Sequence, residues 1–187
     1  MERNCILYLS DDRGDLSAEL ERLYTEAFPA SERKRLSVIR RMRRRGAMEV
    51  LSVRGGQSEF LALAMTMLCD DLALLDYFAV VPESRGTGVG GQALGLLRER
   101  YSGRRFFLEI EDIDFARDDG ERLLRRRRKS FYLKNGMKET GIKTVIFGQH
   151  MELLSDGCSV SEEEYRRIYL RCAGALTARR IDPRFTV

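Results

Sequence analysis

Four glycines fall within six positions in VVPESRGTGVGG, residues 80 to 91. They follow an apolar run and precede QALGLLRERY, which reads as a helix. Glycine loses more entropy on folding than any other residue. Such a cluster at a strand-to-helix junction marks a tight turn or a ligand approached closely by bare backbone. The first N–H groups of a helix have no internal acceptor, and the helix dipole adds roughly half a positive charge there. Strand, glycine loop and helix together make a site for an anion such as phosphate. A second group of residues is acidic. In FFLEIEDID, residues 106 to 114, Glu109 and Glu111 lie on one side of a strand because side chains alternate. Like charges close together raise one pKa, which suits a base. Asp112, Asp114, Asp118 and Asp119 add negative charge that would attract a cation.

Two phosphate-loop templates can be tested on these residues. A Walker loop needs Lys-Ser or Lys-Thr after its second glycine, and Gly91-Gln92 stands in that region. The dinucleotide fingerprint G-x-G-x-x-G is met by Gly86, Gly88 and Gly91, and Glu111 lies 20 residues beyond, where a ribose-binding acid belongs. Against a dinucleotide-binding protein, PESR separates the loop from its strand, and the preceding strands are joined by tight turns rather than crossover helices.

Composition narrows the chemistry. A chain of 187 residues suits one domain, taken as 1–187. Apolar residues make up 43% and charged residues 33%, an ordinary soluble balance. No window approaches the ~20 apolar residues of a membrane span, and the first residues lack a signal-peptide pattern. Cys5, Cys69, Cys158 and Cys172 are scattered without CxxC, which fits reduced thiols, a cytoplasmic location and no metal site. His150 is the one histidine, which removes most histidine-dependent chemistry, His-rich zinc sites above all, and argues against the usual Ser-His-acid site. The net charge of +4 is concentrated in RKRLSVIRRMRRR (33 to 45) and RLLRRRRK (122 to 129). Aromatic residues do not interleave with these arginines, so the case for nucleic acid is weak. Phosphorylated small molecules and plain solvated helix faces both fit the charge.

The elements that must position these groups follow from periodicity. CILYLS reads as a strand. DLSAELERLYTEAF reads as a helix capped by Asp15 and ended by Pro29, and a second helix is capped by Ser31 and closed by Gly46. MEVLSVR, EFLALAMTML and LALLDYFAVV form an antiparallel meander through GGQS and CDD turns. After the glycine loop and its helix come the strand RRFFLEIE, a polar loop DIDFARDDG, and a helix ERLLRRRRKSFYLKNG. KTVIFGQHMELL offers one or two strands, and a last helix of about 161–176 carries a capping box, Ser161 with Glu164. The sum is an α/β (α+β) fold with a mixed, mostly antiparallel sheet flanked by helices.

LLDYFAVVPESRGTGVGGQALGLLRER, residues 74 to 100, resembles the acetyl-CoA pyrophosphate motif of the GCN5-related N-acetyltransferase (GNAT) family. RRRRKSFYLKNGMKET, residues 125 to 140, resembles that family's second motif, with Gly-Met in place of the common Gly-Phe. FPASER, residues 28 to 33, is similar to the first-helix pair of some bacterial members. The resemblance covers about residues 5–155.

The resemblance implies a single N-acetyltransferase domain that transfers acetyl from acetyl-CoA to a primary amine. Arg85, Gly86, Thr87, Gly88, Val89 and Gly90 would cradle the pyrophosphate. Phe78, Ala79 and Val80 would pair their backbone with pantetheine, and Arg128 or Lys129 could reach the 3′-phosphate. Tyr132 matches the family's thiol-protonating tyrosine, and its alternative is a core aromatic beside Phe131. Glu111 is the expected group for amine recognition or deprotonation through water, with Glu109 and Glu32 as further acceptor-site carboxylates. No metal is called for. The acceptor would be a small-molecule or peptide amine, with no membrane partner, and a homodimer stays open. The rival reading is a non-catalytic acyl-CoA-binding or regulatory module.

Overall fold

The computed structural model describes residues 6–11, 15–174 and 181–182. In chain order the elements are β1 (Tyr8–Asp11), α1 (Ala18–Ala27), α2 (Leu36–Arg44), β2 (Met48–Arg54), β3 (Phe60–Cys69), β4 (Leu72–Val80), α3 (Val89–Arg100), β5 (Arg105–Glu111), α4 (Asp119–Lys134), β6 (Lys138–Ile146), β7 (Gln149–Ser155), α5 (Glu162–Ala173) and β8 (Ile181–Asp182). Short 3-10 turns occupy Pro82–Ser84 and Ile113–Phe115. Met1–Cys5, the start of the CILYLS strand, and the end of the expected last helix lie outside the described residues.

The chain divides into two compact units. One takes in the described residues up to Met67 together with Asp76–Arg100, and the other takes in Leu68–Leu75 and the described residues from Tyr101 onward. In the first unit the strand order is β1-β2-β3-β4. β2 runs antiparallel to β3 from Met48↔Met67 to Arg54↔Phe60, with a slip at Val53/Arg54. The central strands are buried on nearly every residue, as their near-continuous apolar sequences require. Val53, Ala62 and Ala93 form a buried cluster against which Leu7, Leu9, Phe78 and Val80 pack. α2 buries Ile39 and Met42 and packs on β2.

In the second unit the order is β4-β5-β7-β6-β8. The β4–β5 pairing is parallel, from Leu72↔Arg105 to Leu75↔Leu108, whereas β5–β7, β6–β7 and β6–β8 are antiparallel. The α/β class with a mostly antiparallel sheet flanked by helices is therefore observed. Phe147 and Gly148 close the β6–β7 hairpin with φ of 50° and 83°. Positive φ at both central residues is the type I′ pattern, which matches the twist of paired strands.

Helix starts differ from the sequence reading. α1 is capped by Ser17, whose hydroxyl accepts from the Leu20 amide, while Asp15 accepts from Leu16 and pairs with Arg40. α2 begins after Arg35 with no side-chain cap, so Ser31 is not its cap. α4 begins at Asp119 behind an Asp118 cap, which shortens the expected polar loop.

Arg105, at the start of β5, organises one end of the second unit. It donates to Asp71 in the β3–β4 turn at 2.7 and 3.0 Å, and to Glu164 at 2.9 and 2.6 Å. Glu164 also accepts from the Ser161 amide and completes the capping box of α5. The Arg105 hydrogen bond, then the Ser161 amide, hold the Glu164 carboxyl at about 2 instead of its usual 4.5. Arg105 also leads the lowering of Asp71. A carboxylate whose folded pKa is depressed stabilises the fold above the unfolded value and loses that stabilisation as pH falls through the folded one. The melting temperature should therefore fall between pH 4.5 and about pH 2, and Arg105→Gln should flatten the fall. Thermal melts of both proteins across that range are the check. Parallel curves would remove Arg105 from the acid response.

Candidate functional site

The glycine loop lies in the first unit. The Val81 amide donates to the Leu61 carbonyl at 2.9 Å, which fixes the end of β4 against β3. The 3-10 turn then reverses the chain, with Ser84 bonded back to Val81 at 3.0 Å and the Arg85 amide to Pro82 at 3.2 Å. Arg85 folds its side chain over this turn, its Nε donating to the Val80 carbonyl at 3.1 Å. Thr87 Oγ1 donates to the Ser84 carbonyl at 2.7 Å. Gly86 and Gly88 have φ of 77° and 91°, a region that L side chains avoid. A Cβ on Gly86 would meet nothing within 4 Å, and one on Gly88 only the Gln92 amide nitrogen at 3.9 Å. Internal packing thus does not explain these glycines.

Among the described residues, none of the backbone N–H groups from Gly86 to Gly91 donates to a loop or cap carbonyl. Arg85, Gly86, Thr87 and Gly88 are exposed, while Val89 and Gly90 are half-buried in the first turn of α3. The loop is a row of amides without loop acceptors at a helix N-terminus, suited to an anion. Just before it, Phe78 and Val80 pack into the core cluster and Ala79 is buried. Glu32, the acceptor-site candidate of this unit, is exposed.

The second unit carries Glu109, Glu111 and Tyr132. Glu109 and Glu111 are both half-buried on β5, as alternation requires. Tyr169 donates its hydroxyl to the Glu109 carboxylate at 2.8 and 2.7 Å. Glu111 is ion-paired with Arg128 of α4. Burial, the largest single cause, pushes the Glu111 pKa up, but the hydrogen bond and charge of Arg128, with a backbone hydrogen bond and the charge of Arg125, together make the net shift downward. The expectation of a raised carboxyl is thus corrected, since a guanidinium that the strand sequence cannot show sits against it.

Tyr132 is buried near the end of α4, its ring edge-on to Phe131. Its pKa is pushed up to about 12, first by burial; Arg128 pulls it down and Glu111 pushes it up. The phenol is therefore protonated at neutral pH. Among the described residues nothing hydrogen-bonds to its hydroxyl. Tyr132, Arg128 and Glu111 form one electrostatic group, because Arg128 lies one helical turn before Tyr132 and reaches β5.

The remaining basic run of α4 also turns toward acids. Buried Arg125 donates to the Asp112 carbonyl and to Glu121 at 2.9 Å. Lys129 pairs with Glu152 at 2.7 Å and with Glu139. Both residues expected to reach a 3′-phosphate, Arg128 and Lys129, are thus held by carboxylates, while Arg126 and Arg127 are exposed with no ion pair among the described residues. The loop aspartates are engaged as well. Lys143 meets Asp112 at 2.8 Å and Asp114 at 3.1 Å, and Asp118 caps α4. Among the described residues, no group of three His, Cys, Asp or Glu side chains is placed to hold a metal ion.

Arg128 is the residue of this group that the sequence reading missed as a partner of Glu111. Its one legible sign is its place four residues before Tyr132. Arg128→Gln should move the Glu111 pKa upward, because burial then acts without the compensating charge. Titrating the carboxyl carbon by NMR in both proteins measures this. An unmoved Glu111 would show that another group sets its ionisation.

No protein-family model and no curated protein sequence matches the chain. Solved structures do. A protein described as an acetyltransferase of the GNAT family from Bacteroides thetaiotaomicron superposes with a TM-score of 0.65 at 21% identity, covering 86% of this chain and 90% of that one. A Vibrio cholerae spermidine N-acetyltransferase in complex with CoA and spermine gives 0.57 at 11% identity, covering 85% and 97%. A chimera of the Vibrio cholerae enzyme SpeG and hSSAT gives 0.60 at 15% identity, covering 80% and 93%. These likenesses establish the architecture: the chain has the fold of the GNAT acetyltransferases.

Proposed function

We propose that the chain is an acetyl-CoA-dependent N-acetyltransferase that acts on a primary amine. The observation that carries this reading is the loop of open amides between β4 and α3, built on glycines that internal packing does not require. The amides of Arg85 to Gly90 and the N-terminus of α3 would hold the pyrophosphate, and Phe78 to Val80 would line the pantetheine arm. Bound acetyl-CoA would supply an activated thioester. The named neighbours favour this use of the fold, one of them holding CoA and spermine. Free thiols at Cys69, Cys158 and Cys172 agree with a cytoplasmic setting.

Acetyl transfer requires the amine to lose a proton and the departing sulfur to gain one. Tyr132 would donate that proton. Burial keeps the phenol protonated at neutral pH, and Arg128 eases the proton's departure. Glu111, held ionised by Arg128, serves better as a fixed negative charge that binds and orients an ammonium than as a strong base. Glu109 would add to the field that a cationic acceptor meets beside Glu111, and Glu32 is a separate acceptor-site candidate in the other unit. We read the chain as one N-acetyltransferase domain on this basis.

CoA should raise the melting temperature, because a ligand of the folded state alone stabilises it. NAD should not. Gly88→Asp should abolish the CoA shift by placing a carboxylate against the phosphate. A shift with NAD and none with CoA would overturn the reading.

Tyr132→Phe keeps the ring and removes the proton. Turnover of acetyl-CoA with an amine panel should drop by ~10²–10⁴ while CoA affinity stays within twofold. Undiminished turnover would return Tyr132 to a packing role. CoA binding by the wild-type chain without turnover of any amine would favour a non-catalytic acyl-CoA-binding module.

A further inference from the structure

The connection between α1 and α2, residues 29–35, is irregular, yet it is gripped. The Tyr77 hydroxyl donates to the Glu32 carbonyl at 2.7 Å and accepts from the Lys34 amide at 3.1 Å. The Tyr24 hydroxyl donates to the Lys34 carbonyl at 3.1 Å. Lys34 Nζ reaches both oxygens of Asp76, at 2.8 and 2.7 Å. Tyr77 and Asp76 are neighbours on β4, so successive side chains of that strand take the same segment by its backbone and by its lysine.

The grip is built into the core. Tyr24 and Tyr77 are buried, and their rings meet edge-on with centroids 4.9 Å apart. Phe28 meets Tyr77 at the same distance. Lys34 Nζ lies 5.1 Å from the Tyr77 ring centre. Burial keeps both phenols protonated, with the charge of Asp76 next in order for Tyr77. Tyr77 therefore stays a donor at every working pH.

A turn between two short helices does not need this many bonds. With the Glu32 amide, which donates to the Pro29 carbonyl at 3.0 Å, they fix the backbone from Glu32 to Lys34, and Glu32 is an exposed residue of that segment. A fixed backbone under an exposed acidic residue is what a recognition group requires, because positioning loses its value when the supporting chain moves by about 1 Å.

We infer that Tyr77, with Asp76 through Lys34, is a positioning residue that presents Glu32 to a cationic acceptor amine. This rests on the N-acetyltransferase reading. Tyr77 does not touch the amine. It sets amine use by holding the Glu32–Lys34 segment.

Steady-state kinetics of Tyr77→Phe, with acetyl-CoA and amine varied separately, tests this. The variant loses one donor and one acceptor contact to the segment. The amine KM should rise about tenfold, with kcat and the acetyl-CoA KM within about twofold. Asp76→Asn should shift the amine KM in the same direction by a smaller factor, and it keeps the test alive if Tyr77→Phe folds poorly. Tyr77→Phe should add nothing on top of Glu32→Gln, because both act through one carboxylate. Faster cleavage by trypsin within residues 33–35 should accompany the KM change.

A residue of merely structural importance would lower the melting temperature without separating the two KM values. With wild-type turnover intact, an unchanged amine KM in both variants, or a fully additive double variant, overturns the inference and leaves the enzyme reading standing. A wild-type chain that acetylates no amine overturns the enzyme reading, and this inference falls with it.

Discussion

Charge neutralisation between α4 and the strands beneath it is the constraint on which the second unit depends. The helix carries RLLRRRRK, a sequence that could not be packed on a sheet without partners, since an unpaired buried guanidinium costs several kcal/mol. The strands and turns supply most of those partners, and Glu121 on the helix itself supplies one. Arg125 takes the Asp112 carbonyl and Glu121, Arg128 takes Glu111, and Lys129 takes Glu152 and Glu139. The contacts that leave the helix, to Asp112, Glu111, Glu152 and Glu139, also fix its phase. That phase buries Arg125 and Tyr132 while leaving Leu123, Leu124, Arg126 and Arg127 outside. The position of the proposed acid is thus a consequence of where the basic side chains must go.

The glycine loop obeys the opposite logic. Its amides are left open rather than satisfied. Val81, Ser84 and Arg85 use their N–H groups to build the turn, and the groups from Gly86 to Gly91 are then free of loop acceptors. Two positive φ values in three residues give that path, and the empty space at Gly86 shows that backbone conformation and outside access decide the residue type. A phosphate is the natural complement of such a row of donors.

Strand spans and the glycine loop were legible in the sequence because both are local. Near-continuous apolar runs gave β2, β3 and β4, and alternation placed Glu109 and Glu111 on one face. Helix starts were less legible. Asp15 and Ser17 are both good caps, and only the arrival of Arg40 diverts Asp15 to an ion pair. The β6–β7 turn was hidden because Phe147 carries a positive φ that is usually left to Gly, Asn or Asp. The ionisation of Glu111 was misjudged for a related reason. Its like-charged neighbour Glu109 is two residues away in sequence, whereas Arg128 is seventeen away and leads the lowering that offsets burial. The rule applied to the carboxylate pair was sound, but Glu109 accepts from Tyr169 and a stronger charge stands beside Glu111.

The same distinction separates what a carboxylate can do from what its neighbours allow. A base must give up its negative charge when it takes a proton, and Arg128 opposes that step at Glu111 by stabilising the anion. The pair therefore favours a constant charge over a titrating one near neutral pH. Tyr132 is held in the complementary state, because burial favours the neutral phenol. Arg128 stabilises anions at both groups, so it lowers each pKa while burial raises each. The balance ends differently because the two groups start from different values. A carboxylate near 4.5 and a phenol near 10 leave one anion and one neutral donor at pH 7. One arginine can thus serve both without forcing either into the wrong form.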